Sequence, residues 1–118
     1  MAEQAGGSGY GNGEADAVAP FLANLVGAAF GIPSQNLAGA GRGPAGVAYA
    51  RQVGMYLAHT RLHLPLTGAG ALFGRDRTTA AHACRRVEES REDARLDTIL
   101  DWLERAVDVR PELGRRTD

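Results

Sequence analysis

Residues 73–86 read FGRDRTTAAHACRR. A glycine turn, an aspartate at an N-cap position and apolar residues at Ala80, Ala83, Cys84 and Val87 predict a helix. It should begin at Asp76 and run to about Arg91. A cap needs one side-chain acceptor, yet this first turn gathers Arg75, Asp76, Arg77, Thr78 and Thr79. The surplus has a common chemistry. Threonine can donate or accept a hydrogen bond and offers a methyl to thymine. Arginine can grip guanine at two points, and aspartate can accept from cytosine. The first turn of a helix also presents free N–H groups and the positive end of its dipole to phosphate.

Upstream, LPLTGAGALFG (64–74) predicts a short helix capped by Thr67 and reaching Leu72 and Phe73, with Gly74 making the turn. Two helices joined at Gly74 outline a helix-turn-helix, whose second helix enters the major groove. Before it, a helix over about 45–62 carries Pro44 in its first turn. Its apolar stripe is Val47, Ala50, Val53, Gly54, Leu57, Ala58 and Leu62. Asp16 predicts the cap of a first helix from Ala17 to Phe30, with Pro20 in its first turn and Gly31 at its end. Ser34 should cap one turn that buries Leu37. A last helix, about 96–109, should bury Leu96, Ile99, Leu100, Leu103 and Val107 before Pro111 stops it. No segment alternates with period two. The expectation is an all-α bundle of five or six helices over 14–110, with a disordered tail over 1–13 and a second tail over 111–118.

Charge is unevenly placed. Net charge is −1 and all thirteen basic residues are arginine. Residues 1–40 carry −3, residues 41–86 carry +6 and residues 87–118 carry −4. A basic segment therefore sits between two acidic ones. Without lysine there is no P-loop and no Schiff-base nucleophile. No apolar run is long enough to span a bilayer, and the N-terminus shows no export signal. One cysteine, Cys84, excludes an internal disulfide and suits a reducing cytoplasm. The expected location is cytoplasmic, on the nucleoid.

Other features carry less. GRGPAG (41–46) fits G-x-G-x-x-G, but no strand precedes it, so a plain loop is the better reading. His59 and His63 are four apart without a third ligand, so no metal is expected. His82 is expected to face the core. The acidic last helix should be a solvated surface, on which Trp102 could mark an interface. No Ser-His-Asp grouping, carboxylate pair or metal triad stands out, so neither enzyme activity nor a cofactor is expected.

Three stretches together resemble the C-terminal DNA-binding domain of the bacterial replication initiator DnaA. LFGRDRTTAAHACRRVEE (72–89) is similar to that family's F-G-G-R-D-H-[ST]-T-V-x-H-A-x-[RK]-K-I-E. ARQVGMYLA (50–58) is similar to its A-R-Q-x-A-M-Y-L-A helix, and FGIPSQNL (30–37) to the end of its first helix. The resemblance covers residues 21–107. It implies a helical bundle with a Trp-repressor-like helix-turn-helix that binds double-stranded DNA. Asp76, Arg77, Thr78 and Thr79, beside Arg75, fall where the family reads bases. Arg51, Gln52 and His59 fall where it touches the phosphate backbone. Leu66 and Thr67 match a phosphate contact at the start of the first motif helix. Arg42 lies in the loop whose arginine enters the minor groove, and a glycine-rich loop would allow that reach.

Departures from the family pattern shape the functional expectation. Arg77 stands where the family has histidine, so a different base is expected there. One of two turn glycines is missing at Phe73-Gly74-Arg75. The loop keeps only Arg42, and His59 replaces a lysine-type contact, which implies weaker, less salt-dependent binding. The family's ATPase and N-terminal domains have no counterpart here, so initiation by this chain alone is not expected. The resemblance implies a transcription regulator, such as an activator of a gene-transfer-agent or phage-like cluster. It would be helped by RNA polymerase, an architectural DNA-bending protein or a second copy. The alternatives are a modulator of replication initiation at initiator boxes, and a related fold that binds protein only.

Overall fold

The computed structural model describes residues 12–37 and 45–110, and these form five α-helices and one short 3-10 turn. The expected tail and loop residues outside those ranges, Arg42 among them, lie outside the described residues. Helix α1 spans Asn12–Phe30, the 3-10 turn Ser34–Asn36, and α2 Ala45–Thr60. Helix α3 spans Leu66–Ala71, α4 Arg77–Ser90 and α5 Ala94–Asp108. The all-α expectation holds, and among the described residues there is no strand.

Several expected helix starts move. Helix α1 begins at Asn12, so Asp16 lies within it and is not its N-cap. Pro20 consequently stands inside the helix, where its missing N–H removes one main-chain bond. Burial of Val18, Leu22, Ala23 and Val26 along one face offsets that loss. Gly31 closes the helix at φ +69, and the Ile32 N–H bonds the Gly27 carbonyl at 2.9 Å. Pro33, not Ser34, precedes the 3-10 turn, without a side-chain cap, and Leu37 behind it is fully buried. Helix α3 likewise starts behind Pro65, so Thr67 is its second residue and not its cap. In both places the fixed φ of proline sets the start one or two residues before the nearest hydroxyl. The last helix starts two residues earlier than expected, because Asp93 accepts from the N–H groups of Arg95 and Leu96 at 2.9 and 3.2 Å.

Helix α2 is the centre of the bundle. Every residue from Val53 to Ala58 is buried, so its apolar surface is wider than the single stripe the sequence suggested. Helices α1, α3 and α4 all pack on it. The ring of Phe73 fills the gap left by Gly54, and an added Cβ there would lie 2.5 Å from Phe73 Cζ. Tyr49 binds the α1 and α4 sides together. Its ring meets Phe30 edge-on at 5.7 Å, and its hydroxyl lies 2.6 Å from Ser90 Oγ. Ser90 Oγ in turn donates to the Val87 carbonyl at 2.6 Å. Helix α5 closes the bundle with Leu100, Leu103 and Val107, all fully buried, while Leu96 and Ile99 are only half-buried.

A second polar hub joins α2, α4 and α5. The Tyr56 hydroxyl donates toward Glu88 Oε2 at 3.2 Å and Glu104 Oε2 at 3.3 Å, and accepts from Arg91 Nη1 at 3.2 Å. Arg91 also reaches Asp97 at 2.8 Å, Asp101 at 2.6 Å and Glu104 at 3.3 Å. Burial pushes the Tyr56 hydroxyl up to about 12 against the charge of Arg91, with Glu104 and Glu88 adding to the rise.

Candidate nucleic-acid interface

The turn between α3 and α4 is built by main-chain bonds. Phe73 N–H bonds the Gly70 carbonyl at 3.0 Å, Gly74 N–H the Ala71 carbonyl at 3.1 Å, and Arg75 N–H the Gly70 carbonyl at 2.9 Å. Gly74 sits at φ +70, a left-handed conformation that favours glycine, so one glycine completes this turn. Gly70 lets the two helices meet. A Cβ added there would lie 2.7 Å from the Arg75 carbonyl oxygen and 2.8 Å from that of Asp76. These contacts hold the first turn of α4 against the end of α3.

Asp76 caps α4 as expected. Its φ is −91 and its ψ 178, and its Oδ1 accepts the Thr79 N–H at 2.8 Å. That N–H and the Thr79 hydroxyl hold the Asp76 carboxyl below the usual aspartate range. The carboxylate is thus engaged by the helix itself, and so is the Thr79 hydroxyl. Arg77, Thr78 and Thr79 are all exposed, and Ala80 directly after them is fully buried. The turn therefore points its polar side chains outward while the next residue anchors it to the core.

The same face continues down the helix. His82, expected to face the core, is exposed. The reason is the buried stripe of α4, which is Ala80, Ala83 and Val87 with Cys84 half-buried beside it. His82 lies four residues after Thr78 and so one turn below it on the outer face. Arg85 and Arg86 extend that face and are exposed too. The signal for all three was present in the spacing of the apolar stripe, which assigns the intervening positions to solvent.

The residues expected at the phosphate backbone divide. Arg51 is corrected: it is only 6% exposed, and its Nε donates to the Leu37 carbonyl at 2.7 Å. It fastens the segment after α1 to α2. Burial, then the charge of Arg75, push its guanidinium down from its ordinary value. Gln52 beside it is half-buried. His59 is half-buried, with Nδ1 2.7 Å from the Leu64 carbonyl oxygen. A carbonyl only accepts, so Nδ1 carries the proton. In the neutral ring Nε2 is then an acceptor, and a phosphate contact from His59 requires the imidazolium. His63 does not share a helix with His59. It follows the end of α2 with φ 62, so the four-residue spacing does not put the two on one helical face.

Leu66 is half-buried and Thr67 exposed at the start of α3. Arg75 is half-buried, and its Nη1 donates to the Phe73 carbonyl at 2.8 Å. Asp76, Arg77, Thr78, Thr79 and Thr67 are thus the exposed members of the expected set, with Arg75 and Leu66 at its edge. Among the described residues no group of three or more His, Cys, Asp or Glu could hold a metal ion. Among the same residues no helix is long and apolar enough to cross a membrane.

Comparison with known proteins agrees with this geometry. Residues 21–87 match the family described as the bacterial dnaA protein helix-turn-helix. The chromosomal replication initiator protein DnaA of Bordetella pertussis is 43% identical over 68 residues, which cover 56% of this chain and 14% of that protein. The proteins of the same name from Ralstonia nicotianae and Burkholderia multivorans are 42% identical over 66 residues, 54% of this chain and 13% of theirs. The matched region spans about one seventh of these relatives. It includes α3, the turn and α4 as far as Val87.

Proposed function

Because the chain belongs to the bacterial DnaA helix-turn-helix family, a DNA-binding domain family, we propose that it is a sequence-specific reader of double-stranded DNA that regulates transcription. The observation that carries this reading is the first turn of α4. Asp76 fixes the turn, Ala80 roots it, and Arg77 and Thr78 stand exposed with hydrogen-bonding groups suited to base edges. Arg77 takes the place of the family's histidine, so the base read at that step differs from the initiator's own. That difference favours promoters over initiator boxes.

The net charge of −1 implies modest affinity for the duplex alone. Binding is then helped by RNA polymerase, an architectural DNA-bending protein or a second copy. Tight, salt-insensitive binding of a monomer to a single site would contradict this.

A second reading has its own support. The relatives matched at 42–43% identity are named as chromosomal replication initiator proteins, so a modulator of replication initiation is its natural rival. Genome-wide mapping of bound DNA separates the two. Occupancy at promoters supports the regulator, and occupancy confined to the replication origin and initiator boxes supports the modulator.

A further inference from the structure

The outer face of α5 is unlike its composition. By sequence the helix is acidic, with Asp97, Asp101, Glu104 and Asp108. Those four carboxylates are already engaged within the molecule. Arg91 holds Asp97, Asp101 and Glu104, and Arg61 holds Asp108. Asp93 is used as the cap. The two arginines of the helix, Arg95 and Arg105, have no ion-pair partner among the described residues and are exposed.

Arg95, Thr98, Trp102, Arg105 and Val109 follow one another at spacings of three and four, so they form one stripe along the helix. Trp102 is 50% exposed and Val109 81% exposed, the two large hydrophobic residues on the described surface. What α5 shows outward is an aromatic centre between two unpaired guanidinium groups. Tryptophan and arginine are the residue types that most often anchor protein interfaces.

We propose that this stripe is a docking surface for an acidic amphipathic helix of another protein. An apolar residue of that helix would seat against Trp102, and carboxylates about one turn to either side would pair with Arg95 and Arg105. Charge selects this occupant over two others. The segment from Arg91 to Arg110 has six acids and four arginines. Its field at a distance is therefore negative and resists a polyanion such as DNA. A second copy would offer an α5 whose carboxylates are already paired, leaving nothing to meet the arginines. The inference does not depend on the DNA reading, since it concerns a different helix face.

Trp102 is the single tryptophan of the chain, so its fluorescence reports on this stripe alone. The probe is a short synthetic helical peptide with leucines at three- and four-residue spacing flanked by glutamates. Two controls are used, the same peptide with lysine for glutamate and a DNA duplex. The acidic peptide should shift Trp102 emission to the blue and reduce acrylamide quenching, with an affinity that falls as salt rises. The double variant Arg95→Glu, Arg105→Glu should bind it roughly tenfold or more weakly, while Arg95→Lys, Arg105→Lys should bind it within a few-fold of the parent. Circular dichroism checks that both fold. The proposal is overturned if the acidic peptide leaves the emission unchanged, or if the lysine peptide or the duplex shifts it equally. It is also overturned if Trp102 in the free protein is already shielded. Shielding that depends on concentration would mean a second copy, and shielding that does not would mean another part of the same chain.

Discussion

The ring of Phe73 occupies the space where a side chain on Gly54 would be, with Phe73 Cζ 2.5 Å from the site of a Cβ. This contact locks the end of α3 onto the central helix and so sets where α4 begins. Gly54→Ala gains helix propensity of about 1 kcal/mol but forces the ring outward. The net expectation is destabilisation of about 1–3 kcal/mol, measured by urea unfolding. Gly54→Ala combined with Phe73→Leu should recover part of the loss, because the smaller side chain makes room for the methyl.

Asp76 links stability to acid through the cap. Its carboxyl lies below the usual aspartate range, so the unfolded chain takes up the proton first as pH falls. The stabilisation is fully present above the unfolded pKa and is lost as pH falls through the lower folded value. Asn at this position can also accept from the Thr79 N–H but does not titrate. Thermal melts between pH 7 and pH 2 should therefore show a shallower acid decline for Asp76→Asn than for the parent. Equal slopes would separate the cap from the titration.

Tyr56 gives the opposite dependence at high pH. Its hydroxyl is pushed up to about 12, so its contribution is complete below the unfolded value near 10 and disappears as pH rises toward 12. Deprotonation would set a third negative charge beside Glu88 and Glu104 and remove the donor they share. Unfolding free energy should fall by on the order of 2 kcal/mol across that window. Tyr56→Phe should start less stable at pH 8 and then show a flatter profile, which denaturant titrations at each pH will reveal.

His63 holds a left-handed conformation at φ 62 just past α2. Glycine adopts that conformation without the steric cost, so His63→Gly should raise stability by about 1 kcal/mol. The substitution should leave DNA affinity unchanged if His63 serves only the turn, a point that anisotropy titration can check.

The parts of the fold that were legible in the sequence are those governed by local chemistry. Asp76 before an alanine-rich run, Gly74 between two helices and Pro111 after the last apolar turn each act within a few residues. The misread features depend on distant partners or on competing local signals. Arg51 reads as a surface cation until Leu37 is brought within 2.7 Å of it. Arg91 and Arg61 hide the acidity of α5 by pairing with carboxylates that no spacing rule connects to them. Thr67 and Ser34 looked like caps, but a proline lay just upstream of each and set the start instead. His82 was misassigned although the stripe of Ala80, Ala83 and Val87 already placed it outside. The exposed set at the head of α4 was legible because its polar excess had no structural use.

The most direct test of the account is selection from a random duplex library by the parent and by Arg77→Ala, read by sequencing the bound DNA. The account predicts that the parent enriches a defined sequence. Arg77→Ala should keep its fold but lose the preference at one base step, with affinity for the parent's site reduced by about 1–3 kcal/mol. Unchanged preference and unchanged affinity in the folded variant would contradict the assignment of the first turn of α4 to base reading.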